Sequence, residues 1–134
     1  MADRRQILKA GLAGSVLPLG ALASAAEAAT PLAIYRAIYD PRLASGRIFA
    51  AAARARGWTT AAIEGDVTQL WYQDLDLRWR EGPAPIAGVT HPASLFVLDH
   101  LARGAGMRVI SRTDLPHEGA VSWLIAPPAR RLAV

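Results

Sequence analysis

Apolar and polar residues fall into alternating blocks along the chain, and the blocks predict strands alternating with helices. Ala33 to Tyr39 is a short run rich in Ile and Tyr, which reads as a strand. Asp40-Pro41 then opens an alanine-rich helix from Arg42 to Arg56, closed by Gly57. Thr59 to Ile63 is a second strand, ending at Glu64-Gly65, and a second helix runs from Asp66 to Arg80, with Gln69 completing a capping box. Past Gly82-Pro83, Pro85 to Val89 gives a third strand. Pro92 to Arg103 gives a third helix, with Leu95, Phe96, Leu98, Leu101 and Ala102 on one side and Gly104 as its stop. Met107 to Arg112 and Ala120 to Ala126 read as two closing strands, joined by a surface turn from Thr113 to Gly119 and ended by Pro127-Pro128.

Three strand–helix alternations followed by two strands define the α/β class: a small single domain with a partly parallel sheet and an antiparallel edge. A length of 134 residues holds one such domain, and 52% hydrophobic against 19% charged residues is too apolar for a disordered chain. Basic side chains outnumber acidic ones 15 to 11, but the 14 arginines and Lys9 are dispersed, which argues against nucleic-acid binding. The absence of cysteine excludes disulfide staples, thiol catalysis and a thiolate-bound metal.

The first block differs from the rest. Met1 to Lys9 is short and basic, Ala10 to Ala26 carries no charge, and Ala26-Glu27-Ala28 supplies the small residues of a cleavage site, with Ala23-Ser24-Ala25 as a second possibility. Residues 1–28 therefore read as a signal peptide and residues 29–134 as the mature domain. Arg4-Arg5-Gln6-Ile7-Leu8-Lys9 resembles the twin-arginine pattern, with Asp3 in place of the usual Ser or Thr. The uncharged stretch is diluted by Gly11, Gly14, Pro18 and Gly20, too weakly apolar for a permanent membrane span. The resemblance implies recognition by the twin-arginine translocase, through Arg4, Arg5 and Leu8, and export of a chain that has already folded, to the periplasm. Cleavage would follow Ala28, with Ala26 and Ala28 as the small residues of the site.

Two groups of residues are candidates for function. If the first three strands are parallel, their carboxyl ends bring together Asp40, Arg42, Glu64, Asp66, Thr90 and His91 along one sheet edge, where open α/β folds hold ligands. Carboxylates beside a His and an Arg suit acid–base work or the holding of a hard cation. Asp40, Asp66 and Thr90 also stand where helices need N-caps, and capping alone is the stronger reading of them. Gly88 entering the third helix offers a place for an anion, but the several glycines of a nucleotide or phosphate loop are missing. His91, His100 and His117 lack the short spacing of a zinc site, and no cofactor motif is present, so neither metal nor cofactor is expected.

The second group lies on the helix from Asp66 to Arg80. At 3.6 residues per turn, Val67, Leu70, Trp71 and Leu75 form an apolar arc that Tyr72, Leu77 and Trp79 widen, and Asp74 and Arg78 project into it four positions apart. A rim ion pair with its stems packed is one reading. The other is a docking face of Trp71, Tyr72, Asp74, Arg78 and Trp79, residue types enriched where binding energy concentrates.

The leader, the mature length and the run from Leu70 through Trp71-Tyr72-Gln73-Asp74-Leu75-Asp76-Leu77-Arg78-Trp79-Arg80 to Gly82-Pro83 and Pro85-Ile86-Ala87-Gly88-Val89-Thr90 are together similar to a family of small exported bacterial proteins. Members of that family accompany flavin-dependent alcohol or sugar dehydrogenases outside the cytoplasm. The resemblance implies an accessory or escort subunit that binds a larger periplasmic redox enzyme and supports its export or activity. The alternative is a self-sufficient periplasmic enzyme or small-ligand binder using Asp40, Arg42, Glu64, Thr90 and His91.

Overall fold

The computed structural model describes residues 33–128, so the leader and its signal residues lie outside the described part. Five strands form one mixed sheet in the order β2-β1-β3-β5-β4. They are β1 (Arg36–Tyr39), β2 (Thr60–Ala62), β3 (Ile86–Thr90), β4 (Arg108–Leu115) and β5 (Ala120–Ala126). β1 pairs in parallel with both β2 and β3, and β5 runs antiparallel between β3 and β4. The expected α/β domain, part parallel and part antiparallel, is what the chain forms.

Three helical segments cover the sheet: α1 (Ala44–Ala55), α2 over residues 68–79 and α3 (Pro92–Ala102). The chain steps from β1 outward to β2, then back past β1 to β3. Right-handed crossovers in opposite directions place their helices on opposite faces. The core divides accordingly. Ile38, Ile86 and Trp123 point toward α2 and α3, where Leu75, Trp79, Leu95 and Leu98 cover them. Their neighbours Ala37, Ala87, Val89 and Leu124 point toward Phe49 and Ala53 of α1.

Small residues set how closely the layers approach. The buried face of α1 is Ser45, Gly46, Phe49, Ala50 and Ala53, so one aromatic wedge sits among residues that let the helix lie against the strands. A Cβ on Gly46 would stand 2.5 Å from the carbonyl oxygen of Asp40. Burial of Phe49 contributes about 2–3 kcal/mol. On the other face, a Cβ on Gly88 would lie 2.4 Å from both the Ile38 carbonyl and the Trp123 ring, so the missing side chain is what admits the indole.

Several boundaries differ from the sequence pattern. α1 begins at Ala44, with Leu43 at the N-cap, because the Asp40 carboxylate is taken by Arg42 and the chain first makes a turn closed by Leu43 N–H to the Asp40 carbonyl. α2 is not uniform: Thr68–Leu70 is α-helical, Trp71–Leu75 is a π turn, and Asp76–Trp79 is α-helical again. α3 gives way to a 3₁₀ turn, Arg103–Ala105, and it is Gly106 at φ 78°, not Gly104, that takes the left-handed position. Phe96 is 73% exposed rather than in the core, since it lies about 100° around the helix from Leu95. β4 runs on to Leu115, which shortens the turn before β5, and Ile110 is an extra residue between Val109 and Ser111 in the register.

Candidate functional site

β1 lies between β2 and β3, the point where the chain reverses its direction of travel across the sheet. Open α/β sheets have their crevice at the carboxyl ends of the strands flanking such a point. Asp40 follows β1 directly and is 1% exposed. Its carboxylate accepts from Arg42 three times: the backbone amide at 3.0 Å, Nε at 2.9 Å and a terminal guanidinium nitrogen at 2.7 Å. The fork geometry explains how a carboxylate can be held out of water. Hydrogen bonding from Arg42 holds the Asp40 carboxyl below the usual carboxylate range despite its burial, and the same pairing raises Arg42.

The other predicted strand-end residues divide. His91 caps α3 by backbone position; its Nε2 is 4.0 Å from Asp40 and its Nδ1 is 3.3 Å from the Gly119 carbonyl. Glu64 is exposed in the loop after β2 and lies close enough to favour the charged form of Arg42. The Arg42 guanidinium rests against the same loop, 3.1 Å from where a Gly65 Cβ would be. Thr90 is the exception. It is fully buried at the end of β3, accepts the Trp123 indole N–H at 3.0 Å and donates to the His91 carbonyl at 2.9 Å, so it is neither a helix cap nor a ligand. Asp66 stands one position ahead of the N-cap, Val67, and accepts the Thr68 amide at 2.9 Å in a local turn that holds its carboxyl low; the expected capping box does not form, since Gln69 bonds Gln73 instead.

Asp40, Arg42, Glu64 and His91 therefore converge, and the sequence pattern placed them together. Glu118 was missed: from the β4–β5 turn its Oε1 accepts the Ser45 amide at 3.2 Å in the first turn of α1. A carboxylate on a neighbouring turn leaves no local sequence signal. Asp40 is occupied by its three bonds from Arg42, which leaves His91, 41% exposed at its side chain, as the more accessible side chain of the pair. Among the described residues, no group of three or more metal-ligating side chains comes together, and no helix is long and apolar enough to cross a membrane.

The aromatic helix is rearranged relative to expectation. Asp74 and Arg78 do not pair. Tyr35 donates its hydroxyl proton to Asp74 Oδ1, and Arg36 Nε bonds Oδ2 at 2.7 Å. Arg78 instead reaches Glu81 at 3.9 Å and the Gly82 carbonyl at 3.4 Å. The π turn is the reason: it inserts a residue and rotates Asp74 out of line with Arg78. Burial first, and then the bond to Asp74, push the Tyr35 phenol up. Trp79, expected on the docking face, is only 6% exposed; its indole donates to the Ala84 carbonyl at 3.0 Å and meets Trp71 edge to face at 5.9 Å. Trp71 is half-buried beside a cleft of about 260 Å³ that Leu101 and Ala105 also line. Tyr72, 67% exposed, and Leu77, 55% exposed, face outward.

Compared with protein-family models, with curated proteins and with solved structures, the chain matches none.

Proposed function

We propose that the protein is an accessory subunit, exported to the periplasm by the twin-arginine route, that binds a larger redox enzyme, of the flavin-dependent dehydrogenase kind, and supports that enzyme's export or activity. One observation carries this reading: α2 and α3 cover the same sheet face, and their outer surfaces present Tyr72, Leu77 and Phe96 to solvent at 67%, 55% and 73% exposure. Large apolar side chains left exposed on the helices of a small domain are candidates for surfaces that other proteins cover. Trp79 is buried beneath these helices. Purification from periplasm through a tag at Val134 tests the reading. A larger flavoprotein should be recovered with the wild type and lost with Tyr72→Ser plus Phe96→Ser; recovery of the small chain alone would overturn it.

A second reading is favoured by a different observation, the convergence of Asp40, Arg42, Glu64 and His91 at the strand ends. There the protein acts as a self-sufficient enzyme or small-ligand binder, with Arg42 and His91 as the groups that touch the ligand. His91→Ala would then abolish activity or ligand-induced thermal stabilisation without unfolding the domain, and would be silent if the helical face alone matters.

A further inference from the structure

A cavity of about 520 Å³ opens between the β2 edge of the sheet and α2, away from the exposed aromatic face. Its two ends differ in chemistry. At one end stands Arg36, held by three contacts: Nε on Asp74 at 2.7 Å, a terminal nitrogen on the Tyr35 carbonyl at 3.0 Å, and its guanidinium stacked 4.1 Å over the Tyr35 ring. The other terminal nitrogen of Arg36 makes no hydrogen bond among the described residues. Beside it, Gln73 accepts from Gln69 at 3.3 Å, which leaves its own amide N–H groups as donors. Both oxygens of Asp74 are already engaged, by Tyr35 and Arg36. This end therefore offers oriented donors.

The opposite end carries Glu64 and Asp66. Ala37 aligns with Thr60 and Tyr39 with Ala62, so the end of β2 lies three residue steps beyond Arg36, about 10 Å along the sheet. Glu64 and Asp66 follow in the loop that leads from β2 into α2. Asp66 uses Oδ1 to hold the Thr68 amide, and Glu64 is exposed. Between the ends, Ala62, Ile63 and Leu70 line the wall. The π turn from Trp71 to Leu75 brings Gln73 and Asp74 to the Arg36 end, and such turns cost stability that a plain α-helix would keep.

We infer that this cavity binds a linear zwitterion, an ω-amino acid, with its carboxylate against Arg36 and Gln73, its methylene stem along Leu70 and Ile63, and its cation between Glu64 and Asp66. Anions are disfavoured, because three carboxylates face one guanidinium across the lining. A cation without a carboxylate leaves the Arg36 end unfilled, and a carboxylate without a cation leaves Asp66, which has no ion-pair partner among the described residues, without a counter-charge. Charge at both ends, several bonds apart, is what the lining selects.

A ligand-observed NMR titration of the full-length protein with 6-aminohexanoate, hexanoate and hexylamine tests the assignment. 6-Aminohexanoate should bind saturably, and each singly charged probe at least about tenfold more weakly, as expected for loss of a charged hydrogen-bonded contact. Asp66→Asn, which keeps the oxygen that accepts the Thr68 amide, and Gln73→Leu should each weaken 6-aminohexanoate severalfold with an unchanged circular dichroism spectrum; if Gln73→Leu fails to fold, Asp66→Asn decides. Absence of saturation by about 20 mM, equal binding of hexylamine, or indifference to Asp66→Asn would overturn the assignment. Neither result bears on recovery of a partner through Tyr72 and Phe96.

Discussion

The indole N–H of Trp123 donates to the hydroxyl of Thr90 across 3.0 Å in the buried interior, and the Thr90 hydroxyl in turn donates a hydrogen bond to the carbonyl of His91. β5 and β3 are thereby joined by a side-chain bond as well as by their ladder, in which Trp123 lies opposite Gly88. The chain of bonds runs from the centre of the core to His91 at the strand ends, so core packing and the geometry of the candidate site are set together.

Gly88→Ala should therefore be among the most damaging single-atom additions to the chain. Its methyl would collide with the Ile38 backbone and the Trp123 ring, neither of which can swing aside. We expect a loss of about 3 kcal/mol and a fall in Tm of more than about 10 °C, read by thermal and denaturant unfolding.

Trp79 and Tyr72 should part company. Trp79→Ala opens the core and leaves the Ala84 carbonyl without its donor, at a cost of about 3–5 kcal/mol. Tyr72→Ala should stay within about 0.5 kcal/mol of wild type while reducing partner recovery. Paired unfolding curves and pull-downs on the same two variants distinguish a packing residue from a contact residue.

Acid should expose the Asp40–Arg42 pair. A carboxyl whose value is lowered on folding stabilises fully above the ordinary carboxylate value, near pH 4, and loses that contribution as pH falls through its own depressed value. Asp66 adds with the same sign. Asp40→Asn should be less stable than wild type at pH 7, and the gap should narrow below about pH 4 in unfolding measured from pH 7 down to about 2.

Tyr35 works in the opposite direction. Its phenol is raised on folding, so its contribution is intact below the ordinary tyrosine value and is lost as pH climbs through the raised one. An absorbance titration should show one tyrosine ionising later than free tyrosine, with that step absent in Tyr35→Phe. The variant should also lose about 1 kcal/mol, since Asp74 gives up one of its two partners.

Much of the scaffold was legible because hydrophobic period and punctuation agree locally. β5 coincides with the run from Ala120 to Ala126, and the three helices lie where Gly, Pro and the apolar stripes placed them. What escaped was set across the chain. Asp40 looked like a helix cap until Arg42, two residues on, proved the stronger partner, and Thr90 looked like another until Trp123, 33 residues away, claimed its hydroxyl. Asp74 looked paired with Arg78 because a uniform 3.6-residue helix was assumed. The π turn broke that phase and delivered the carboxylate to Tyr35 and Arg36, residues 39 and 38 positions away. The strand-end cluster was readable as a set, from topology alone, but not its internal bonding.

The bulge at Ile110 has a consequence for life in company. β4 is the outer strand on its side of the sheet and, at eight residues, the longest. A straight strand of that length with an open edge is a template on which further copies can stack into fibres. The extra residue interrupts the repeat within its first turn of pleat, and Arg108, Arg112 and Asp114 place charge along the remainder. Crowded copies of the chain are thus denied a continuous ladder to extend.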